Sequence, residues 1–150
     1  MKPLILLLAV FVLAFVVSLL SAGDGHLMFD GNLSMCIMLL FTALGHFKFT
    51  SGMAMMLPGF IPFKTQLVYL TGIAEIVLGL ALLFPPFRPV AGIVLIVLFI
   101  GMLPANIYAA IKHINYETAA YDGKGIDYLW IRIPMQALFI LWILYFAIKK

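Results

Sequence analysis

Long apolar runs alternate with short polar stretches along the whole chain. Five runs approach or reach the roughly 20 residues that a helix needs to cross a bilayer: residues 4–20, 33–47, 66–84, 90–111 and 128–148. The second of these is the shortest. Because a membrane span must satisfy its backbone hydrogen bonds without water, each run predicts an α-helix. The pattern therefore predicts an all-α, polytopic transmembrane bundle with five spans.

Turn-forming residues separate the runs. Glycine recurs with aspartate in residues 23–26 and 30–32, proline in residues 58–62 and 85–89, and glycine again in residues 121–125. On this reading Asn32 caps the N-terminus of the second helix. Residues 53–63 are apolar but twice interrupted by proline, which predicts a loop that lies in the membrane interface or folds back into the protein.

The composition agrees with a membrane location. The chain is 65% hydrophobic and 10% charged, with a mean hydropathy of +1.19, values typical of integral membrane proteins. We expect one domain, residues 1–150, with an additional N-terminal helix in residues 1–22 and a four-helix core in residues 33–148. The net charge of +3 is scattered, so no nucleic acid partner is expected. The single cysteine, Cys36, excludes an internal disulfide.

The basic residues predict an orientation. Five spans put the termini on opposite sides, and one side then carries most of the basic side chains: Lys2, Lys48, Lys64, Lys112, Lys124 and Arg132, against Arg88, Lys149 and Lys150. By the positive-inside rule, the N-terminus is expected in the cytoplasm. The first run, followed by Ser21, Ala22 and Gly23, also fits a secretory signal peptide. We expect it to be a retained helix.

Six polar side chains inside the spans are the candidates for a ligand-binding site: His46, Thr71, Glu75, Asn106, Arg132 and Gln136. Alternation of the spans places all of them in one half of the membrane or at its centre. Thr71, Glu75 and Gly79 recur every fourth residue, which predicts a stripe suited to close contact with another helix. Arg132 and Gln136 have the same spacing. The expected arrangement is a polar pocket open to one side.

Glu75 is the strongest candidate, because an ionisable group near the bilayer midplane suggests a functional site. It should face the bundle interior and be protonated or paired. The other side chains also have structural interpretations. Asn106 could satisfy carbonyls freed by Pro104, His46 could lie at the headgroup boundary, and Arg132 could anchor the helix at the interface. No catalytic residue can be named, and neither the histidines nor the methionines form a metal-binding pattern.

Five motifs, in order, resemble the DoxX-like family of small bacterial membrane proteins. They are GHFKF at 45–49, MLPGFIPF at 56–63, YLTGIAEIVLGLALLFP at 69–85, LPANIYAAI at 103–111 and WIRIPMQ at 130–136. The resemblance covers residue 35 to the end and implies a four-helix bundle in a bacterial inner membrane, to which residues 1–22 are an addition. It also implies a role beside a quinone-linked oxidoreductase or in the assembly of another membrane protein.

Two functions of different classes are therefore open. In the first, the pocket binds a quinone-like or other amphipathic lipid molecule, and the chain is an accessory subunit of a membrane oxidoreductase system. In the second, the chain is a scaffold or assembly chaperone, and lipid-facing small residues (Gly72, Ala74, Gly79, Gly92 and Gly101) contact a membrane protein partner. A proton-coupled transporter fits less well, since inverted repeats are absent and a second midplane carboxylate would have to come from a homo-oligomer.

Overall fold

The computed structural model describes residues 2–22 and 26–149. Its helices are α1 Lys2–Ala22, α2 Leu27–Lys48, α3 Thr50–Met55, α4 Lys64–Ala81, α5 Arg88–Ile111 and α6 Asp127–Ile143, and α6 continues into a π-helical turn, Leu144–Ile148. All except α3 are long and apolar enough to cross a membrane. The prediction of an all-helical chain with five such segments is thereby confirmed. Residues 23–25 of the first predicted turn, and Lys150, lie outside the described residues.

Four of the long helices enclose a common interior. α2 packs on α4, α4 on α5, α5 on α6, and the π-helical turn returns to α2. α1 packs on the outer side of α2. The core between them is filled by large apolar side chains, including Met38, Leu39, Leu95, Phe99, Phe139 and Ile143. The outward faces of the helices remain apolar and exposed, as expected where lipid is the solvent.

The second helix begins earlier than its sequence indicates. The predicted turn at residues 30–32 is wrong, because Asp30, Gly31 and Asn32 all lie inside α2. The predicted N-cap is wrong as well, since Asn32 Nδ2 donates hydrogen bonds to Met28 O and Phe146 O (both 2.7 Å). A Cβ at Gly31 would overlap the Phe146 ring. These turn-forming residues therefore lie in a helix because they fit against the π-helical turn.

Two short segments close one end of the bundle. The segment after α2 folds back on the protein, but the predicted loop over residues 53–63 begins later, because residues 53–55 belong to α3. Met56, which follows α3, is buried in a small cluster with Ala109 and Ile114. The loop after α5 carries an isolated β-bridge and passes so close to α3 that a Cβ at Gly52 would overlap the Tyr116 carbonyl. Only glycine permits this approach of two backbones. The two segments thus form one packed layer.

Candidate functional site

A cavity of about 740 Å³ lies inside the bundle, beneath the layer formed by α3 and the loop after α5. All six polar residues singled out from the sequence line it: His46, Thr71, Glu75, Asn106, Arg132 and Gln136. His46, Thr71 and Glu75 come from α2 and α4, whereas the other three come from α5 and α6. The cavity therefore has polar groups on two opposed pairs of helices.

Glu75 and His46 are the buried pair of the α2 and α4 wall. Glu75 Oε1 lies 3.5 Å from His46 Nε2, and Thr42 Oγ1 donates a hydrogen bond to Glu75 Oε2 (2.8 Å). The exposed fraction is 3% for Glu75 and 9% for His46. A carboxylate in such a place needs a partner of opposite charge or a proton, and His46 is the ionisable side chain at salt-bridge distance from it.

The hydrogen bonds around His46 indicate which ring nitrogen carries a proton. Nδ1 lies 3.1 Å from Val68 O and 3.0 Å from Thr71 Oγ1, and Thr71 Oγ1 itself donates to Val68 O (2.8 Å). Since a carbonyl oxygen can only accept, we assign the proton to Nδ1. His46 Nε2 then faces the Glu75 carboxyl group.

Glycines on α4 bring this pair together. A Cβ at Gly72 would lie 2.8 Å from His46 Cβ, and one at Gly79 would lie 3.3 Å from Leu39 Cβ. Both contacts are to α2. The stripe that contains Glu75 was predicted to pack closely on another helix, and that helix is α2 of the same chain. Gly92 likewise approaches Ile143 and Ala147. The expectation that these three glycines face lipid and a partner protein is wrong.

Asn106 and Gln136 are anchored on α5. Asn106 Nδ2 donates to Met102 O (3.1 Å), and Gln136 Nε2 donates to Phe99 O. The carbonyl that Pro104 leaves without its helical donor is that of Ile100, so Asn106 does not satisfy it as expected. Both side chains donate to the backbone and leave their amide oxygens as acceptors on the cavity wall.

Arg132 lies between Tyr128 and Gln136 along the cavity face of α6, because the three recur every fourth residue. It is half-buried. It is also close enough to the loop after α5 to affect Tyr116. Burial raises the pKa of the Tyr116 phenol, the charge of Glu117 raises it further, and Arg132 lowers it. The guanidinium therefore lies near this loop, at the end of the cavity that the exposed side chains of Glu117 and Lys2 line, which we call the mouth.

Comparison with known families adds one match. The model of a family described as a domain of unknown function, DUF8561, matches residues 35–147. The chain belongs to the DUF8561 family. No curated protein and no solved structure matches it.

The DUF8561 match includes most of the cavity but not all of it. It spans α2 from its third turn onward through α6, and hence all six polar residues predicted for the site. Lys2 and Pro3 of α1 also line the cavity and lie outside the matched residues. The first helix thus adds to a site built mainly from the family domain.

Six polar or charged residues of the cavity wall were not identified as site residues from the sequence: the uncharged Thr42, Tyr116 and Tyr128, and the charged Lys2, Lys48 and Glu117. Thr42 precedes His46 by four residues and Tyr128 precedes Arg132 by four, so helical spacing places each beside an identified candidate. Tyr116 gives no such signal, because the fold of its loop brings it to the cavity. Among residues 2–22 and 26–149, no group of three or more His, Cys, Asp or Glu is placed to hold a metal ion.

Proposed function

We propose that this chain binds a quinone-like or other amphipathic lipid molecule in the cavity, as an accessory subunit of a membrane oxidoreductase system. The observation that carries the proposal is the cavity itself, which joins a buried polar wall to a largely apolar interior. Ligand pockets of this kind typically measure roughly 300 to 1,000 Å³, and about 740 Å³ falls within that range.

The lining supports an elongated ligand with one polar end. Aromatic and long apolar side chains cover most of the wall, including Phe41, Leu98, Phe139 and the methionines Met38, Met53, Met56, Met102 and Met135. Methionine adapts its shape to a bound molecule more readily than branched side chains do. An isoprenoid or acyl chain fits such a surface, because it needs apolar contact without directional bonds.

The polar residues would orient the headgroup. Glu75, beside His46, would donate or accept a hydrogen bond or a proton. Asn106 and Gln136 present amide oxygens to a hydroxyl, and Arg132 is placed to hold negative charge near the mouth. Electron transfer would take place on a partner subunit, with this chain supplying the binding site.

The cellular setting is part of the proposal. We place the chain in a bacterial cytoplasmic membrane, as a member of the wider DoxX-like group, with the N-terminus in the cytoplasm. The support is the set of motifs from residue 45 to 136 and the excess of basic residues at the end of the bundle where the cavity opens.

The test is mass spectrometry of the organic extract from protein purified in mild detergent. We would compare wild type with Glu75→Gln and Asn106→Ala at matched folding, using Gln66→Ala as control, because Gln66 is exposed on α4 and does not line the cavity. We expect a quinone or other isoprenoid or acyl molecule with wild type and the control, and a reduced amount with both cavity variants. Equal amounts of the same bulk phospholipids in all four samples would contradict the proposal.

A further inference from the structure

The charged residues of the cavity wall do not balance one another. Five lie there besides His46: Lys2, Lys48, Glu75, Glu117 and Arg132. Lys2 Nζ lies 3.6 Å from Glu117 Oε1, and Glu75 is paired with His46. Two cations of the wall, Lys48 and Arg132, have no carboxylate at salt-bridge distance among the described residues.

The two remaining cations differ in their surroundings. Lys48 Nζ lies 5.3 Å from the centre of the Phe49 ring, a contact that stabilises a cation without neutralising it. For Arg132, no carboxylate within the described ranges lies at salt-bridge distance. A guanidinium is charged at every physiological pH and has five N–H donors. Half-buried in a membrane helix, it needs an anion or water to satisfy it.

The residues around Arg132 suit a negatively charged group. Tyr128 and Tyr116 line the cavity near it and carry phenolic O–H groups that can donate hydrogen bonds. Glu117, the nearest acidic residue along the loop, is already paired with Lys2. The mouth of the cavity therefore has the fixed cation Arg132, a second cation on α2 and two phenolic hydrogen-bond donors. Its acidic residue, Glu117, forms an ion pair with Lys2.

We propose that Arg132 binds an acidic headgroup, a carboxylate or a phosphate, of an amphipathic molecule whose apolar chain occupies the cavity. This inference rests on the proposed function, since both use the same cavity, and it narrows the ligand from amphipathic molecules in general to anionic ones. Arg132 can contact two oxygens of such a group at once, a geometry that a lysine cannot reproduce. Lys48, on α2, is a second cation on the wall of the same cavity.

The test measures binding of three matched amphiphiles by native mass spectrometry in a nonionic detergent. Palmitate and hexadecyl phosphate carry the two acidic headgroups, and hexadecanol has the same chain length without charge. The variants are Arg132→Gln and Arg132→Lys. The control is Lys112→Gln, which removes one positive charge from an exposed position outside the cavity.

We expect wild type to bind an acidic amphiphile more tightly than hexadecanol. Arg132→Gln should weaken acid binding roughly ten- to a hundredfold, the effect of losing a charge-assisted hydrogen bond, and leave hexadecanol binding unchanged. Retained hexadecanol binding also shows that the variant is folded. Arg132→Lys should restore part of the loss, and Lys112→Gln should match wild type.

A parallel titration with dipalmitoyl phosphatidylglycerol identifies the source of the acidic headgroup. Arg132-dependent binding of this lipid would indicate that the ligand is a bilayer lipid.

Two results would overturn the inference. If Arg132→Gln binds both acids as wild type does, or weakens hexadecanol to the same degree, Arg132 does not recognise the headgroup, while the proposed cavity function stands. If wild type binds none of the amphiphiles, the proposed function fails together with the inference.

Discussion

Glu75 on α4 and His46 on α2 face each other across 3.5 Å, from Oε1 to Nε2, where the missing side chain of Gly72 leaves room for His46. The relationship explains how an ionisable group is accommodated in the middle of an apolar helix. Thr42 and Thr71 hold the outer atoms of the pair, so that both residues have defined orientations at the cavity wall.

Removing one member of this pair should destabilise the protein strongly. We expect Glu75→Leu and His46→Leu each to lower the free energy of unfolding by about 3 kcal/mol, because each leaves a buried polar group without its partner. The double variant should lose less than the sum of the two. The measurement is unfolding in mild detergent, with Gln66→Ala as an exposed control on α4. Additive losses would show that the two residues do not interact.

The close approach of α4 to α2 gives a second prediction. In Gly72→Ala the new Cβ would lie 2.8 Å from His46 Cβ, so the helices must move apart, with an expected loss of about 1 to 3 kcal/mol. Gly101→Ala on α5 is the matched control, because nothing lies within 4 Å of its Cβ position. It should be neutral or stabilise by up to about 1 kcal/mol through helix propensity. Equal stability of the two variants would contradict the packing described.

Because of Tyr116, the stability of the protein should fall at alkaline pH. Burial, and then the charge of Glu117, raises its pKa above the ordinary value of 10.0. A group whose pKa is raised on folding contributes stability that is complete below its unfolded pKa and disappears as pH rises through the folded value. Wild type should therefore lose stability above about pH 10, and Tyr116→Phe should lose less over the same interval. Thermal unfolding of both proteins across this range measures the difference, and parallel curves would exclude the effect.

The sequence predicted the spans because membrane helices are encoded locally. A run of apolar residues of sufficient length has few alternatives in lipid, and four of the five predicted runs lie within a few residues of the observed helices. The start of α2 could not be predicted in this way. Gly31 and Asn32 favour turns when read locally, and their helical conformation depends on Trp142 and Phe146, more than a hundred residues away.

Much of the candidate site was also accessible from the sequence. Polar residues are rare in the spans, and the alternation of helices fixes their relative depth, so the six candidates were expected to share one half of the membrane. Their pairing was not predictable, because it depends on how α2 and α4 rotate about their axes. The close contacts of Gly72 and Gly79 with α2 set that rotation, and a contact between helices is not visible in one helix alone.

The central claim is tested most directly by a variant that fills the cavity with a side chain of its own. Gly101 lines the cavity, and nothing lies within 4 Å of its Cβ position, so Gly101→Leu adds an apolar side chain at the wall of the space proposed for the ligand. Ala137→Leu adds similar bulk at an exposed position of α6 outside the cavity and serves as control. Quantitative mass spectrometry of the co-purified amphiphile should show a clear loss for Gly101→Leu and the wild-type amount for Ala137→Leu. The same amount in wild type and both variants would contradict the claim that the cavity is a ligand-binding site.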